Sequence, residues 1–329
     1  MKNKLLPLVY SFLIVLSSVM AGLIAGVETA YAVTPGEKAV AFAKPASVIV
    51  VATDSAYISW PWLNDYDYEL GLIGLGTLIY AQVGSYGSGF IINPNGYIVT
   101  TGHLVYDWQS DLAKYYFLLE DFVYTVVMAD YYYGYALRNA LGLSGYTLQE
   151  YYDTLLDWMV DDYLAPTPTY PKPSITEETV DVYVGIGIVV SGIDNLQGLL
   201  TATIRESWPA EKQDLALLKV TKSNMPTVLL GDSGAVAVGQ TVYVLGYPAS
   251  VVENEYLKWE ENLEPTVTSG IISGTTTTTD GSPAIQTNAE MTYGNSGGMA
   301  LNEKGEVIGV PTAISVRGGV QIAGFNFLR

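Results

Sequence analysis

The feature that most restricts the fold is a succession of short, β-branched apolar runs broken by glycine and asparagine turns. They read as strands at 47–52, 87–92, 97–101, 179–190, 199–204, 215–220, 238–246, 266–273, 285–288, 307–311 and 319–327. Turn residues punctuate them, as in Asn93-Pro94-Asn95-Gly96 and Asn302-Glu303-Lys304-Gly305-Glu306. Many short strands in this rhythm predict β-barrels. Three places break the rhythm. Residues 39–45 read as a short helix ending near Pro45, and 53–82 as a long surface loop or a small hairpin. Between 107 and 172 the apolar period changes to that of a helix, at Leu112, Tyr115, Leu119, Phe122, Val123, Val126 and Val127 and again at Leu148, Tyr151, Tyr152, Leu155, Leu156 and Met159. Thr147 with Glu150 is a capping box for the second run, and Pro166, Pro168, Pro171 and Pro173 end it. A helical hairpin is therefore predicted between 107 and 172.

Chemistry concentrates at three points along this frame. Ser296 lies in Gly294-Asn295-Ser296-Gly297-Gly298, where glycines allow a tight turn that pushes one hydroxyl outward. A serine needs a base and an orienting acid to become a nucleophile. The chain has a single histidine, His103, at the end of the 97–101 strand. Asp214 immediately precedes the apolar strand 215–220. Histidine, aspartate, serine is the triad order found on double β-barrels, not on α/β-hydrolase or subtilisin folds. In this reading Asp214 orients His103, His103 takes the Ser296 proton, and the backbone N–H groups of Gly294 and Ser296, with Asn295 shaping the turn, form the oxyanion hole. Each element alone is commonly structural: glycine-rich turns are frequent, a lone histidine is usually just a satisfied side chain, and an aspartate before a strand is usually a cap.

Composition excludes other classes. There is no cysteine, which rules out thiol catalysis, disulfides and thiolate metal sites; with one histidine, zinc is not expected either. No metal and no cofactor are expected, although carboxylate-bound calcium stays open. With 33 acidic and 15 basic residues the formal charge is −18, so no basic face meets nucleic acid. Lys2 and Lys4 precede an apolar run to about Gly26, and Ala30-Tyr31-Ala32 follows as a small-x-small site. Residues 1–32 thus read as a secretory signal peptide, the alternative being an uncleaved membrane anchor. Either reading places the rest of the chain outside the cytoplasm.

The chain resembles the trypsin-like serine endopeptidases of the HtrA/Deg family. The resemblance is carried by Gly87-Ser88-Gly89-Phe90-Ile91-Ile92-Asn93-Pro94-Asn95-Gly96-Tyr97-Ile98-Val99-Thr100-Thr101-Gly102-His103, by Gln213-Asp214-Leu215-Ala216-Leu217-Leu218-Lys219-Val220, and by Leu230-Gly231-Asp232-Ser233. Val267-Thr268-Ser269-Gly270-Ile271-Ile272-Ser273, Gly294-Asn295-Ser296-Gly297-Gly298 and Gly305-Glu306-Val307-Ile308-Gly309-Val310 continue it. The resemblance implies an all-β protein of two six-stranded barrels with the cleft between them, here with an inserted helical hairpin and with no PDZ module following. Residues 33–225 would form the first barrel, including loop 53–82 and insertion 107–172, and 226–329 the second. It implies endoproteolysis of unfolded or damaged extracytoplasmic polypeptides, in the manner of protein quality control, and a homo-oligomer, commonly a trimer.

Three departures from the family stand out. Gly102 replaces the usual alanine before the histidine, Asn288 replaces an aspartate, and Tyr293 replaces the proline before the nucleophile loop. The substrate pocket is expected around Glu290, Met291, Thr312 and Ala313. A carboxylate at Glu290, six residues before Ser296, would favour cleavage after Lys or Arg; the family preference is for small aliphatic residues, and both readings stay open here. Two further functions compete with proteolysis: a catalytically silent, chaperone-like peptide binder, kept open by Tyr293 and Asn288, and a surface protein that assembles through the acidic, tyrosine-rich hairpin.

Overall fold

The computed structural model describes residues 33–105, 112–164, 172–186, 199–209, 212–249, 264–278, 281–317 and 320–328. The signal or anchor reading of 1–32 lies outside them. Among the described residues no helix is long and apolar enough to cross a membrane.

The first sheet is a closed barrel of β1 (Ser47–Ser59), β2 (Leu78–Asn93), β3 (Tyr97–Thr100), β4 (Ser174–Gly185), β5 (Leu200–Ser207) and β6 (Ala216–Val220), in the order β1-β2-β3-β6-β5-β4. All neighbours are antiparallel, and β4 closes the ring by pairing with β1, Val51 opposite Tyr183. Period-two alternation fills the interior: in β6, Ala216, Leu218 and Val220 are buried while Leu217 and Lys219 lie nearer the surface. With Val48, Val50, Phe90, Ile98, Val182 and Val184 they make one core.

The second sheet corrects the expectation of an all-β double barrel. It holds β7 (Leu229–Leu230), β8 (Thr241–Gly246), β9 (Thr266–Thr277), β10 (Pro283–Thr287), β11 (Met299–Leu301), β12 (Glu306–Gly309), β13 (Pro311–Arg317) and β14 (Val320–Leu328). Its order is β13-β14-β10-β9-β8-β11-β12-β7, eight strands with two ends. Closure requires a ladder between the terminal strands. Among the described residues β7 pairs only with β12, in parallel and over two residues, and β13 pairs only with β14. One face carries Val242, Val244, Ile272, Ile285, Met291 and Ile308. Leu245, Met299, Leu301, Val307 and Val310 join the barrel's core instead, welding the two sheets together.

The second correction is the helical content. Helix α1 (Pro35–Ala43) opens with the capping box of Thr34 and Glu37 and lies on β8, with Gly36 against the Tyr243 ring. The stretch 53–82, read as a long surface loop or a small hairpin, is a hairpin that continues strands β1 and β2, paired out to Ser59 opposite Leu78, with a 3-10 turn (Pro61–Tyr66) and α2 (Asp67–Leu72) at its tip. The insertion supplies α3 (Leu112–Tyr132), α4 (Ala136–Ala140) and α5 (Leu148–Leu164), three helices rather than two. The Thr147–Glu150 capping box forms as read, with reciprocal bonds of 2.8 and 3.2 Å.

These two insertions share a hydrophobic core of their own. Trp60, Leu63, Leu70 and Ile73 from the hairpin tip meet Leu118, Phe122 and Val126 of α3 and Tyr151, Leu155 and Met159 of α5. Ile58 and Ile79 floor it from the strands. Polar bonds fix the register: the Trp60 indole N–H donates to the buried Asp162 carboxylate at 3.1 Å, and the Gln82 N–H to Asp121 at 2.8 Å. The buried Asp130 accepts from the N–H groups of Leu137 and Arg138, at 2.9 and 3.0 Å, and so holds the start of α4. A fully buried Leu or Phe contributes about 1.5–3 kcal/mol, so a core of this many large side chains stands beside the barrel's rather than decorating it.

Candidate active site

Strand β3 ends at Thr100, and the helical turn Gly102–Val105 follows at once, anchored by the buried side chains of Leu104 and Val105. His103 thus stands at the barrel rim, its side chain about one-third exposed. Asp214 comes from the turn between β5 and β6, tied by Trp208 N–H to Leu215 O at 2.8 Å and Asp214 N–H to Pro209 O at 3.1 Å. Its backbone lies in the left-handed region, φ 49°, which aspartate tolerates better than most residues.

The structure brings His103 and Asp214 together. Nδ1 of His103 lies 3.0 Å from Oδ2 and 3.1 Å from Oδ1 of Asp214, and the His103 backbone N–H donates to Oδ1 at 2.8 Å. Thr312, from β13 of the second sheet, donates its hydroxyl to Oδ2. Burial pushes the Asp214 carboxyl upward, but the His103 bond and charge, the Thr312 hydroxyl and the His103 amide outweigh it and leave the group below its ordinary value. A carboxylate held ionised against Nδ1 favours the tautomer with a proton there, leaving Nε2 as the acceptor. The backbone passes so closely here that a β-carbon on Gly102 would stand 1.7 Å from the Trp208 carbonyl oxygen. Glycine at this point is a packing requirement of the turn that delivers Asp214.

Ser296 sits between β10 and β11, partly exposed, in a loop whose glycines at 294 and 297 have φ of 89° and 83°. A β-carbon at Gly297 would lie 2.2 Å from Ser88 O and 2.9 Å from Thr101 N, so the loop is pressed against the strand end that carries His103. A β-carbon on Gly87 would likewise lie within 2.9 Å of the Ser296 carbonyl and 3.0 Å of the Leu104 side chain, next to His103. The Ser88 N–H donates to the Ser296 carbonyl at 2.8 Å.

Two peptide planes set the expected oxyanion donors. The Tyr293 carbonyl accepts from Ala249 N–H at 2.7 Å, and the Asn295 carbonyl from Gly298 N–H at 3.0 Å. In a trans peptide the N–H points opposite to the C=O, so the Gly294 and Ser296 N–H groups are directed away from those partners. The N–H of Asn295 is engaged with Thr292 O at 3.1 Å, which assigns that residue to the turn itself.

The residues expected around the substrate pocket separate. Met291 is buried in the second sheet's core. Glu290 is exposed, its carbonyl held by the Thr268 hydroxyl at 2.7 Å. Thr312 turns to Asp214, and Ala313 pairs with Phe327 in the β13–β14 ladder. Asn288 accepts from the Ile271 N–H of β9 at 2.7 Å, and Tyr293 is three-quarters exposed. Sequence reasoning missed the Asp214 role of Thr312 and the buried pair Ser88 and Thr100 beneath the nucleophile loop. The only available signal for the pair was the glycine-flanked Ser88 in Gly87-Ser88-Gly89. Among the described residues no group of three or more His, Cys, Asp or Glu side chains could hold a metal ion.

Residues 177–310 match the trypsin-like peptidase domain family. A probable periplasmic serine endoprotease DegP-like of Halomonas elongata is 41% identical over 111 residues, 33% of this chain and 21% of that protein. A putative serine protease HhoB of Synechocystis is 40% identical over 119 residues, 34% of this chain and 25% of that one. Over these stretches the chain is similar to serine proteases of the HtrA/Deg family. The aligned stretch spans about a fifth to a quarter of the curated HtrA/Deg relatives. Among solved structures, an HtrA-type protease AlgW with decapeptide aligns over 88% of this chain and 62% of its own, at 20% identity and a TM-score of 0.46.

Proposed function

We propose that this chain is an extracytoplasmic serine endopeptidase that cleaves unfolded or damaged polypeptides through His103, Asp214 and Ser296. The observation that supports it most directly is the Asp214 carboxylate, doubly held on Nδ1 and the amide of His103 and fastened by Thr312. In this reading Nε2 of His103 accepts the Ser296 hydroxyl proton as Oγ attacks a peptide carbonyl. The oxyanion of the tetrahedral intermediate is received by the Gly294 and Ser296 N–H groups, whose loss typically costs about 3 kcal/mol each. The imidazolium, stabilised by Asp214, then protonates the leaving amine. Water attacks the acyl-enzyme with His103 again as base, releasing the acid and restoring Ser296. The periplasmic naming of the curated relatives supports the extracytoplasmic location.

The exposure of Glu290 supports cleavage after small aliphatic residues over cleavage after Lys or Arg. The trimer implied by the family resemblance belongs to the same proposal, and sedimentation velocity reads it. Labelling of the full chain by a fluorophosphonate, lost in Ser296→Ala, together with sequencing of the products from a digested unfolded protein, tests the whole reading. An unlabelled Ser296 leaves a peptide-binding protein, and cuts after Lys and Arg transfer the specificity to Glu290.

A further inference from the structure

Ser88 is a buried hydroxyl, 1% exposed, that the catalytic steps above do not use. It makes contacts with three elements at once. Its Oγ donates to the Gly294 carbonyl at 2.7 Å and accepts from the Tyr247 N–H at 2.8 Å, just past the end of β8. Its N–H donates to the Ser296 carbonyl at 2.8 Å, and its carbonyl accepts from the buried Thr100 hydroxyl at 2.7 Å. One residue of the first barrel therefore grips the nucleophile loop on both sides of Asn295. There is no slack around it: a β-carbon on Gly246 would stand 2.9 Å from the Ser88 Oγ.

We propose that Ser88 is a positioning residue that fixes the pitch of the Gly294–Ser296 turn, and with it the aim of the two oxyanion donors. The inference rests on the protease reading above. Its backbone bond to Ser296 would survive any side-chain change, but the Oγ bond is what holds the Gly294 end. Removing Oγ leaves the Gly294 carbonyl and the Tyr247 N–H buried without that partner, and the turn relaxes about its Ser296 end. The Gly294 N–H then loses its alignment with charge that develops only in the transition state. Such a loss lowers kcat and spares KM. The His103–Asp214 pair is untouched, so the pH at which activity rises stays where it was.

The test measures kcat, KM, the pH–rate profile and thermal unfolding for the full chain, Ser88→Ala, Thr100→Val and Val182→Ala, using a fluorogenic peptide with an aliphatic residue before the cut. Ser88→Ala is expected to lose about tenfold or more in kcat, within the roughly 100- to 1,000-fold cost of deleting a whole donor. KM and the pH midpoint are expected to hold within about twofold of the wild type, a span of roughly 0.4 kcal/mol. Thr100→Val, which removes the hydroxyl holding the Ser88 carbonyl, changes kcat in the same direction and carries the test if Ser88→Ala does not fold. Val182→Ala truncates the barrel core far from the loop and keeps kcat while lowering the unfolding temperature. A folded Ser88→Ala of wild-type kcat, or Val182→Ala losing as much kcat as Ser88→Ala, overturns the inference and leaves the protease reading standing. A wild-type chain with neither turnover nor Ser296 labelling ends both.

Discussion

Replacing Asp214 by asparagine tests the candidate site through its geometry rather than its charge alone. Oδ1 of Asp214 accepts the His103 backbone N–H at 2.8 Å, a donor that cannot turn away. An asparagine must therefore keep its carbonyl oxygen at that position, which places its NH2 where Oδ2 now stands, 3.0 Å from Nδ1 of His103. A donor facing Nδ1 makes that nitrogen an acceptor and moves the ring proton to Nε2. The imidazole then presents an N–H to Ser296 and cannot serve as its base. The Thr312 hydroxyl, which now donates to Oδ2, can rotate to accept from the new NH2 and so does not reverse this orientation. Wrong-tautomer triads of this kind lose about 10⁴ in kcat, equivalent to roughly 5.5 kcal/mol. The assay is steady-state peptide hydrolysis beside a fluorophosphonate labelling rate, with circular dichroism to show that the variant is folded. A folded Asp214→Asn with kcat within tenfold of the wild type would refute the argument, since it would mean that the His103–Asp214 contact does not set the tautomer.

Two other perturbations probe the helical unit. Burial pushes the Asp121 carboxyl up, against the lowering effect of the Gln82 N–H, so the folded state disfavours its charged form. Asp121→Asn keeps an acceptor for Gln82 and is expected to stabilise the protein at neutral pH; the gain disappears as pH falls below the ordinary carboxylate value near 3.8, and a denaturant series across pH that shows the opposite trend removes the explanation. Trp60→Phe deletes the indole N–H that serves the buried Asp162, and is expected to cost about 1–3 kcal/mol in urea unfolding; a cost near zero shows that the carboxylate finds water instead.

Much of the candidate site could be read from local signals. The glycines around Ser296 announce a turn, the sole histidine limits the choice of base, and Asp214 stands directly before a strand. The Thr147–Glu150 box was legible for the same reason, since a capping box is complete within four residues. What escaped was contact between distant segments. Nothing in the period of 53–82 says that Trp60 and Leu63 pack on Phe122 and Tyr151, so that stretch read as a surface loop or a small hairpin although it is long paired strand, turn and helix over a shared core. The extra strand length was hidden because Ala56, Ile58, Ile79 and Ala81 are buried by helices supplied much later in the chain. The second sheet's open order was hidden for a related reason: individual strand patterns say which faces are apolar, not whether β7 and β13 meet. Ser88 and Thr312 are ordinary residue types whose importance lies in their bonds to Gly294 and Asp214.

The long β1–β2 ribbon makes this protein hard to dissect. Cutting out the three inserted helices would strip the cover from Ala56, Ile58, Ile79 and Ala81 and bare the greasy distal ends of β1 and β2, with β4 paired alongside β1, a template for aggregation. A minimal version must therefore shorten β1, β2 and β4 together, at paired positions such as Thr53, Gly84 and Asp181. The trim ends four residues short of Ser88, so the pruning that tidies the appendage also edits the anchorage of the Ser296 loop.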